Sequence, residues 1–265
     1  MNYFQNKNIL ITGAAGGFGG EFIRQLLPFG ARLVLTDIDI NVLQKKADEI
    51  SSTLKNNTGE IIATGSFDLS RPENCYELYK FCREKAGHMD IIINNAGILT
   101  YGYFHEHPET ALIKMIEVNV TAPILISRLF LNDMIANRSG HIVFLSSLAS
   151  VIPTAFETSY TASKCAIRGL GMALSREVSP LGISITNIYP TFADTDMLKV
   201  KSFGSMKVKK LSSFLIDKPE SVVFHSIQGI AKKKLHVYPG FQAKFFSKLV
   251  KLKTVVNSLP MERKN

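Results

Sequence analysis

Short apolar runs alternate with stretches of helical spacing along most of the chain. Asn8–Thr12 (NILIT) is apolar, rich in isoleucine and leucine and closed by a glycine, the pattern of a buried strand. Phe18, Phe22, Ile23, Leu26 and Leu27 then recur at helical intervals over Gly17–Pro28, and Pro28 and Gly30 end that helix. Further strands are expected at Arg32–Thr36, Glu60–Thr64, Asp90–Ile93, His141–Leu145 and Ile183–Ile188. Helices are expected at Asp39–Leu54, Pro72–Ala86, Glu109–Ile135 and Thr158–Ser179. Pro72 suits a first helical turn, and Asp39 suits an N-cap. Beyond 188 the pattern loosens until a last strand at Leu235–Tyr238.

Strands that are apolar throughout, alternating with helices, imply an α/β chain with a parallel sheet covered on both faces. The strand–helix units tile residues 8–188 with no Pro/Gly/Ser-rich linker, no internal repeat and no low-complexity segment. One doubly wound domain of about seven strands accounts for this.

The 265 residues, 46% of them hydrophobic, exclude a disordered or collagenous chain. Three cysteines without a CxxC pair exclude a disulfide framework or a Cys-rich zinc site and favour a reducing compartment. The formal net charge is +9, unevenly spread. Residues 199–265 hold 15 Lys+Arg and 3 Asp+Glu, a net of +12, while 1–198 hold 16 and 19, a net of −3. A mildly acidic body thus carries a basic C-terminal quarter.

The first strand runs into Thr12-Gly13-Ala14-Ala15-Gly16-Gly17-Phe18-Gly19. Glycines at such a turn let backbone approach a pyrophosphate, and the following helix offers free N–H groups. The GxGxxG fingerprint does not fit, because Phe22 stands where its last glycine is needed. TGxxxGxG does fit, through Thr12, Gly13, Gly17 and Gly19. The alternative is a tight turn without a ligand. Asp37 ends the second strand, 18 residues after Gly19. A carboxylate there accepts from both adenosine ribose hydroxyls and repels a 2′-phosphate, which favours NAD(H) and leaves NADP(H) as the alternative.

Tyr160 and Lys164 stand at i and i+4 in a helix, on one face. A phenol near pKa ~10 exchanges protons poorly at neutral pH unless a neighbouring ammonium and a positive nicotinamide favour the phenolate. Alone, YxxxK reads as an ordinary helix-face pair. It is accompanied by Ser147 at the end of the fifth strand, 13 residues before Tyr160, by Asn94-Asn95-Ala96-Gly97 at the end of the fourth, and by the polar Asn119 amid apolar neighbours.

These motifs, with Asp68-Leu69-Ser70, resemble the short-chain dehydrogenase/reductase family in its single-domain form, over roughly residues 7–240. The resemblance implies a Rossmann-like fold and an NAD(P)-dependent oxidoreductase that interconverts a secondary alcohol and a ketone. It implies Tyr160 as general acid/base, Lys164 as the group that lowers its pKa and binds the nicotinamide ribose, and Ser147 as the hydrogen-bond partner of the substrate oxygen. Asn119 would hold a water of the proton relay. Cofactor contacts would come from Thr12, Gly13, Gly17, Phe18, Gly19, Asp37, Asp68, Leu69, Asn95, Ala96, Gly97, Tyr160, Lys164, Pro190 and Thr195. Where the family has Pro-Gly after the sixth strand, this chain has Pro190-Thr191, which leaves the geometry of the lid (about 191–215) open. A non-catalytic dinucleotide-sensing or interaction protein on the same fold is the other reading.

No metal site is expected: His105 and His107 read as surface residues of a Pro-containing loop. Cys75 and Cys82 share one helix face and read as buried thiols; Cys165 lies beside Lys164. In the lid, Met197, Val200, Phe203 and Met206 interleave with lysines, which suggests a hydrophobic or amphipathic substrate, or a lid packed on its own body. Residues 1–240 form the expected catalytic domain. Segment 241–265 is a basic amphipathic extension that docks on the protein, on a partner subunit or at a membrane interface. No nucleic-acid motif accompanies the charge. No run approaches the roughly 18–20 apolar residues of a spanning helix and no signal peptide is visible, so a cytoplasmic protein is expected, membrane-associated at most through its C-terminus. The resemblance implies a homodimer or homotetramer packed through helices 109–135 and 158–179.

Overall fold

The computed structural model describes residues 2–54, 58–195, 197, 202–205, 216–240 and 242–245. Seven parallel strands form one sheet in the order β3-β2-β1-β4-β5-β6-β7. They are β1 (Asn8–Thr12), β2 (Arg32–Asp37), β3 (Glu60–Ser66), β4 (Ile91–Asn94), β5 (Gly140–Leu145), β6 (Ile183–Ile188) and β7 (His236–Val237). Among the described residues, the α-helices flanking it are α1 (Gly17–Leu26), α2 (Ile40–Thr53), α3 (Pro72–Ala86), α4 (Glu109–Ile116), α5 (Ala122–Ala136), α6 (Thr158–Val178) and α7 (Pro219–Ala231).

The inner strands are largely apolar because both faces are covered, and successive side chains go to opposite cores. Ile9, Ile11, Leu33, Leu35, Ile91 and Ile93 pack with Phe22 and Ile23 of α1, Leu43 of α2 and Val223 and Ile227 of α7. Leu10, Val34, Ile92, Ile142 and Phe144 pack on the other face with Leu78 of α3, Phe130 of α5 and Ile167 of α6. The chain order reverses between β1 and β4, which pair through Ile9↔Ile91 to Ile11↔Ile93. Their carboxyl ends therefore open a crevice at a topological switch point, the place where such sheets bind ligands.

The first helix stops as expected, through a 3-10 turn at Leu27–Phe29 and Gly30 at φ 75°. Asp39 caps α2 by accepting from the N–H groups of Asn41 and Val42 at 2.9 and 3.2 Å. Three features differ from the sequence expectation. The expected helix over 109–135 is α4 and α5 joined by a π-helical turn, Glu117–Thr121, which carries Asn119. The loose stretch before β7 contains α7, whose Val222, Val223, Ile227 and Ile230 bury one face behind Pro219. And the run Glu109–Ala136 is long and apolar enough to cross a membrane by length and composition, although Ile126, Phe130 and Met134 pack it onto the sheet.

Of the lid, 196, 198–201 and 206–215 lie outside the described residues. The described part at 202–205 is tied to the loop after β4. Phe203 donates its N–H to the Tyr101 carbonyl at 2.8 Å, and the Ser205 hydroxyl donates to Glu106 at 2.8 Å. The amphipathic segment 241–259 lies outside the described residues except for 242–245, which are helical, with Ala243 fully buried.

Candidate active site

Two loops at the switch point are locked together by hydrogen bonds. The Thr12 hydroxyl accepts from the N–H groups of Asn95 and Ala96 at 3.1 and 3.0 Å. The Asn95 side-chain amide donates to the carbonyls of Thr12 and Gly13, both at 2.9 Å. Gly13 has φ +64°, and a Cβ there would stand 2.8 Å from the Ala96 Cα, so only glycine lets the loops approach this closely. A Cβ on Gly19 would collide with the Gly13 carbonyl, which seats α1 directly on the turn. Among the described residues, no side chain caps the start of α1. Its first N–H groups are left to a ligand or solvent, and Gly16, Gly17 and Phe18 line the cavity there.

Asp37 closes one end. Its carboxylate accepts from the Ala15 N–H at 2.8 Å and the Ile38 N–H at 2.7 Å, so it braces the glycine turn while facing the cavity. The Ser70 hydroxyl and N–H bond to the Asp68 carboxylate at 2.7 and 3.0 Å and hold it below the usual range, helped by Lys114 and Arg71 and opposed by partial burial.

The other end holds Ser147, Tyr160 and Lys164. Ser147 follows the end of β5 and caps the 3-10 turn Leu148–Ser150, its hydroxyl accepting from Ala149 N–H at 3.1 Å. Lys164 is buried and donates to the Leu145 carbonyl at 2.8 Å. Burial pulls its ammonium down to about 8. Its Nζ lies 5.5 Å from the centre of the Tyr160 ring. Burial pushes the Tyr160 phenol above its ordinary value, a hydrogen bond from Ser147 pulls it back, and the Glu157 carboxylate adds to the rise. The expected lowering of Tyr160 by Lys164 is therefore not found in the protein alone: desolvation of the phenolate wins, and the lysine is directed to a backbone carbonyl.

Asn119 is buried in the π-helical turn. Its amide oxygen accepts from the Ile98 N–H at 2.8 Å, and its nitrogen donates to the Ile98 carbonyl at 2.9 Å and the Ser163 hydroxyl at 3.1 Å. The side chain is thus spent on tying α4–α5 to the loop after β4 and to α6. π-turns interrupt helices most often at functional sites.

One cavity of about 890 Å³ runs from Asp37 to Tyr160. Gly13, Gly17, Phe18, Asp37, Asp68, Leu69, Asn95, Ala96, Gly97, Ser147, Tyr160, Lys164, Pro190 and Thr195 line it. Thr12, Gly19 and Asn119 do not, and they act through the backbone they hold. The departure at Thr191 has a structural role: its hydroxyl donates to Asp217, whose backbone is bonded to Phe192 and Asp194, so the segment after β6 is anchored. His107, expected at the surface, is buried with its ring 5.3 Å from that of Phe203. Cys75 and Cys82 are buried, with burial pushing their thiols up to about 11 and about 12; Cys165 is exposed.

Among the cavity residues not singled out from the sequence, Gln242 and Glu157 stand out. Gln242 brings the C-terminal segment onto the wall. Glu157, at the N-cap of α6, is buried there, and its carboxyl is pushed up to about 7 by burial. A glutamate at a cap position that ordinarily takes Ser, Thr, Asp or Asn was the available signal.

The residues fit an extended nicotinamide dinucleotide. The turn at Gly13, Gly16 and Gly17 adds no side chain of its own at a helix start without a side-chain cap among the described residues, and a fixed carboxylate stands at one end of the cavity.

A sequence model of the short chain dehydrogenase family matches residues 7–203. Epidermal retinol dehydrogenase 2 of Mus musculus is 33% identical over 254 residues, 94% of this chain and 77% of that protein. Among solved structures, a short chain dehydrogenase/reductase from Burkholderia phymatum in complex with NAD superposes with a TM-score of 0.81 at 20% identity, over 100% of both chains. A short-chain dehydrogenase from Sphingobium yanoikuyae in complex with NADPH does so with a TM-score of 0.78 at 21% identity, over 98% of both. The structural likenesses show the shared fold. The sequence match over most of the chain and the retinol dehydrogenase relative together show that this protein belongs to the short-chain dehydrogenase/reductase family of oxidoreductases.

Proposed function

We propose that the protein interconverts a secondary alcohol and a ketone on a hydrophobic or amphipathic substrate, with NAD(H) as the preferred cofactor. The observation that carries this is the grouping of the Tyr160 phenol, the Ser147 hydroxyl and the buried Lys164 ammonium in one cavity with the Asp37 carboxylate.

When bound, the nicotinamide supplies the hydride exchange at the substrate carbon. The remaining work falls to the chain. Tyr160 exchanges a proton with the substrate oxygen, and Ser147, already its hydrogen-bond partner, orients that oxygen. The raised phenol stays protonated at neutral pH, the form that donates during ketone reduction. Lys164, between the phenol and the Leu145 carbonyl, binds ribose hydroxyls and supplies positive charge. Asn119 is a positioning residue that fixes the loop after β4 against α6.

The NAD preference rests on Asp37. Its oxygens are fixed by two N–H groups, and the cations among the described cavity residues are Lys114, which acts on Asp68, and Lys164, which acts beside Tyr160. A 2′-phosphate would meet a carboxylate without a compensating cation. Apolar substrates are supported by a wall that includes Leu148, Ile152 and Phe192. A homo-oligomer packed through α4 and α5 is supported by Ile113, 58% exposed, and by the exposed Ile116 and Ile124. A panel of hydrophobic secondary alcohols, assayed with NAD and with NADP, tests the reading. NAD-dependent turnover is expected, and inactivity of the NAD-bound protein across the panel would contradict it.

A further inference from the structure

Glu157 occupies the cavity without a role in the chemistry above. It is 4% exposed, stands one helical turn before Tyr160, and lines the same cavity as Tyr160 and Ser147. Its carboxyl makes no capping hydrogen bond to α6, and burial accounts for the shift of its titration; among the described residues no cation or donor acts on it. A carboxyl on a residue this buried, opening only onto the cavity, costs stability unless a group in the cavity supplies the hydrogen bond.

The backbone leading to it is braced. Phe156 has φ +68°, an uncommon conformation for a bulky side chain. Its carbonyl accepts from the Gly102 N–H at 3.0 Å, and its ring meets that of Tyr103 edge-on at 5.4 Å. Strain of this kind persists where the surroundings enforce it, most often at sites that bind or react. Elsewhere the wall is largely apolar, with Leu148, Ile152 and Phe192, so a carboxyl here discriminates among ligands.

The geometry points to Glu157 as a substrate-recognising residue, whose carboxyl accepts a hydrogen bond from a second donor, a hydroxyl or a protonated amine, on an otherwise apolar secondary alcohol. Side chains three positions apart on a helix stand about 5–6 Å apart at Cβ, so the second donor lies within a few bonds of the reacting carbon. The favoured substrates are then neighbouring diols or amino alcohols with an apolar remainder. The inference rests on the alcohol–ketone reading for the reacting end and adds a substrate class to it.

The matched probes are 1-phenylethanol, 1-phenyl-1,2-ethanediol and 2-amino-1-phenylethanol, which differ only beside the reacting carbon. Their binding to the NADH-saturated protein is measured by calorimetry, and their kcat/KM with NAD, in wild type, Glu157→Gln and Glu157→Leu. The diol or the amino alcohol should bind at least about tenfold tighter than 1-phenylethanol in wild type, and within about twofold in Glu157→Leu. Whichever of the two shows the preference identifies the donor. Thermal unfolding without ligand is the second readout: both variants should melt at or above wild type, because an unpartnered buried carboxyl is removed. The same binding ratios in wild type and Glu157→Leu, or a lower melting temperature for Glu157→Gln, would overturn the proposal. A binding preference without turnover leaves it standing and contradicts the alcohol–ketone reading; turnover without a preference does the reverse.

Discussion

The Lys164 ammonium nitrogen stands 5.5 Å from the centre of the Tyr160 ring and donates at 2.8 Å to the Leu145 carbonyl. The lysine is therefore held by the end of β5 as well as by its own helix, and its charge is fixed near the phenol. Lys164→Gln should lower kcat/KM by about 10²–10⁴, the usual range for a group supporting general acid–base catalysis. Two effects on stability oppose each other, relief of a buried ammonium and weakening of the bond to Leu145. The melting temperature should shift by a few degrees at most, and a large fall in melting temperature would instead assign Lys164 a structural role.

Asp37 both faces the cavity and braces the turn through the Ala15 N–H at 2.8 Å. Asp37→Asn keeps an acceptor for that N–H and removes the charge. It should narrow the preference for NADH over NADPH by roughly tenfold or more, since a removed repulsion of about 1.4 kcal/mol corresponds to tenfold. Titration of protein fluorescence with each dinucleotide measures the ratio, and an unchanged ratio would remove Asp37 from cofactor selection.

Asn119 satisfies both backbone groups of Ile98 and donates to Ser163. Asn119→Leu leaves the part-buried N–H and carbonyl of Ile98 without this partner, at a cost of up to about 1–3 kcal/mol for each group left unsatisfied, while Ser163 keeps its bond to the Tyr160 carbonyl. Denaturant midpoints should fall, with loss of activity even at temperatures where the variant is folded. Ser163→Ala removes one partner of the network and should cost less.

Stability should depend on pH in a way traceable to two buried groups. Burial pulls His141 from 6.5 down to about 3, between Tyr3 and Thr186 at 2.8 Å each. The unfolded chain takes up this proton first, so the histidine costs stability as pH falls from 6.5 toward 3. Burial raises Glu157 from 4.5 to about 7. The folded state takes up that proton first, so its contribution is fully present below 4.5 and is lost as pH rises through 7. The gain in melting temperature of Glu157→Gln should accordingly be greatest above pH 7 and shrink toward pH 4.5.

Strands, helices and the cofactor loop were legible in the chain because each has a local signature. NILIT before a glycine turn, Asp37 at the next strand end and YxxxK at a helix start each encode geometry within a few residues. What escaped depends on packing across the fold. The titration of Tyr160 is governed by burial that no local pattern reveals. The π-turn at Glu117–Thr121 carries Asn119, whose bonds reach Ile98 and Ser163, distant in sequence. Thr191 reads as a loss of glycine until Asp217 is seen to receive its hydroxyl. Helix α7 was legible in Pro219 and the spacing of Val223, Ile227 and Ile230, although the sequence expectation did not include it.

The account turns on Tyr160, and the kinetics of Tyr160→Phe test it most directly. The substitution removes one oxygen and keeps the ring in place beside Lys164. With an alcohol that wild type oxidises, kcat/KM should fall by about 10²–10⁴ while the dissociation constant for NADH stays within about threefold. Full turnover by Tyr160→Phe, with NADH bound as in wild type, would contradict the assignment of the proton to this phenol.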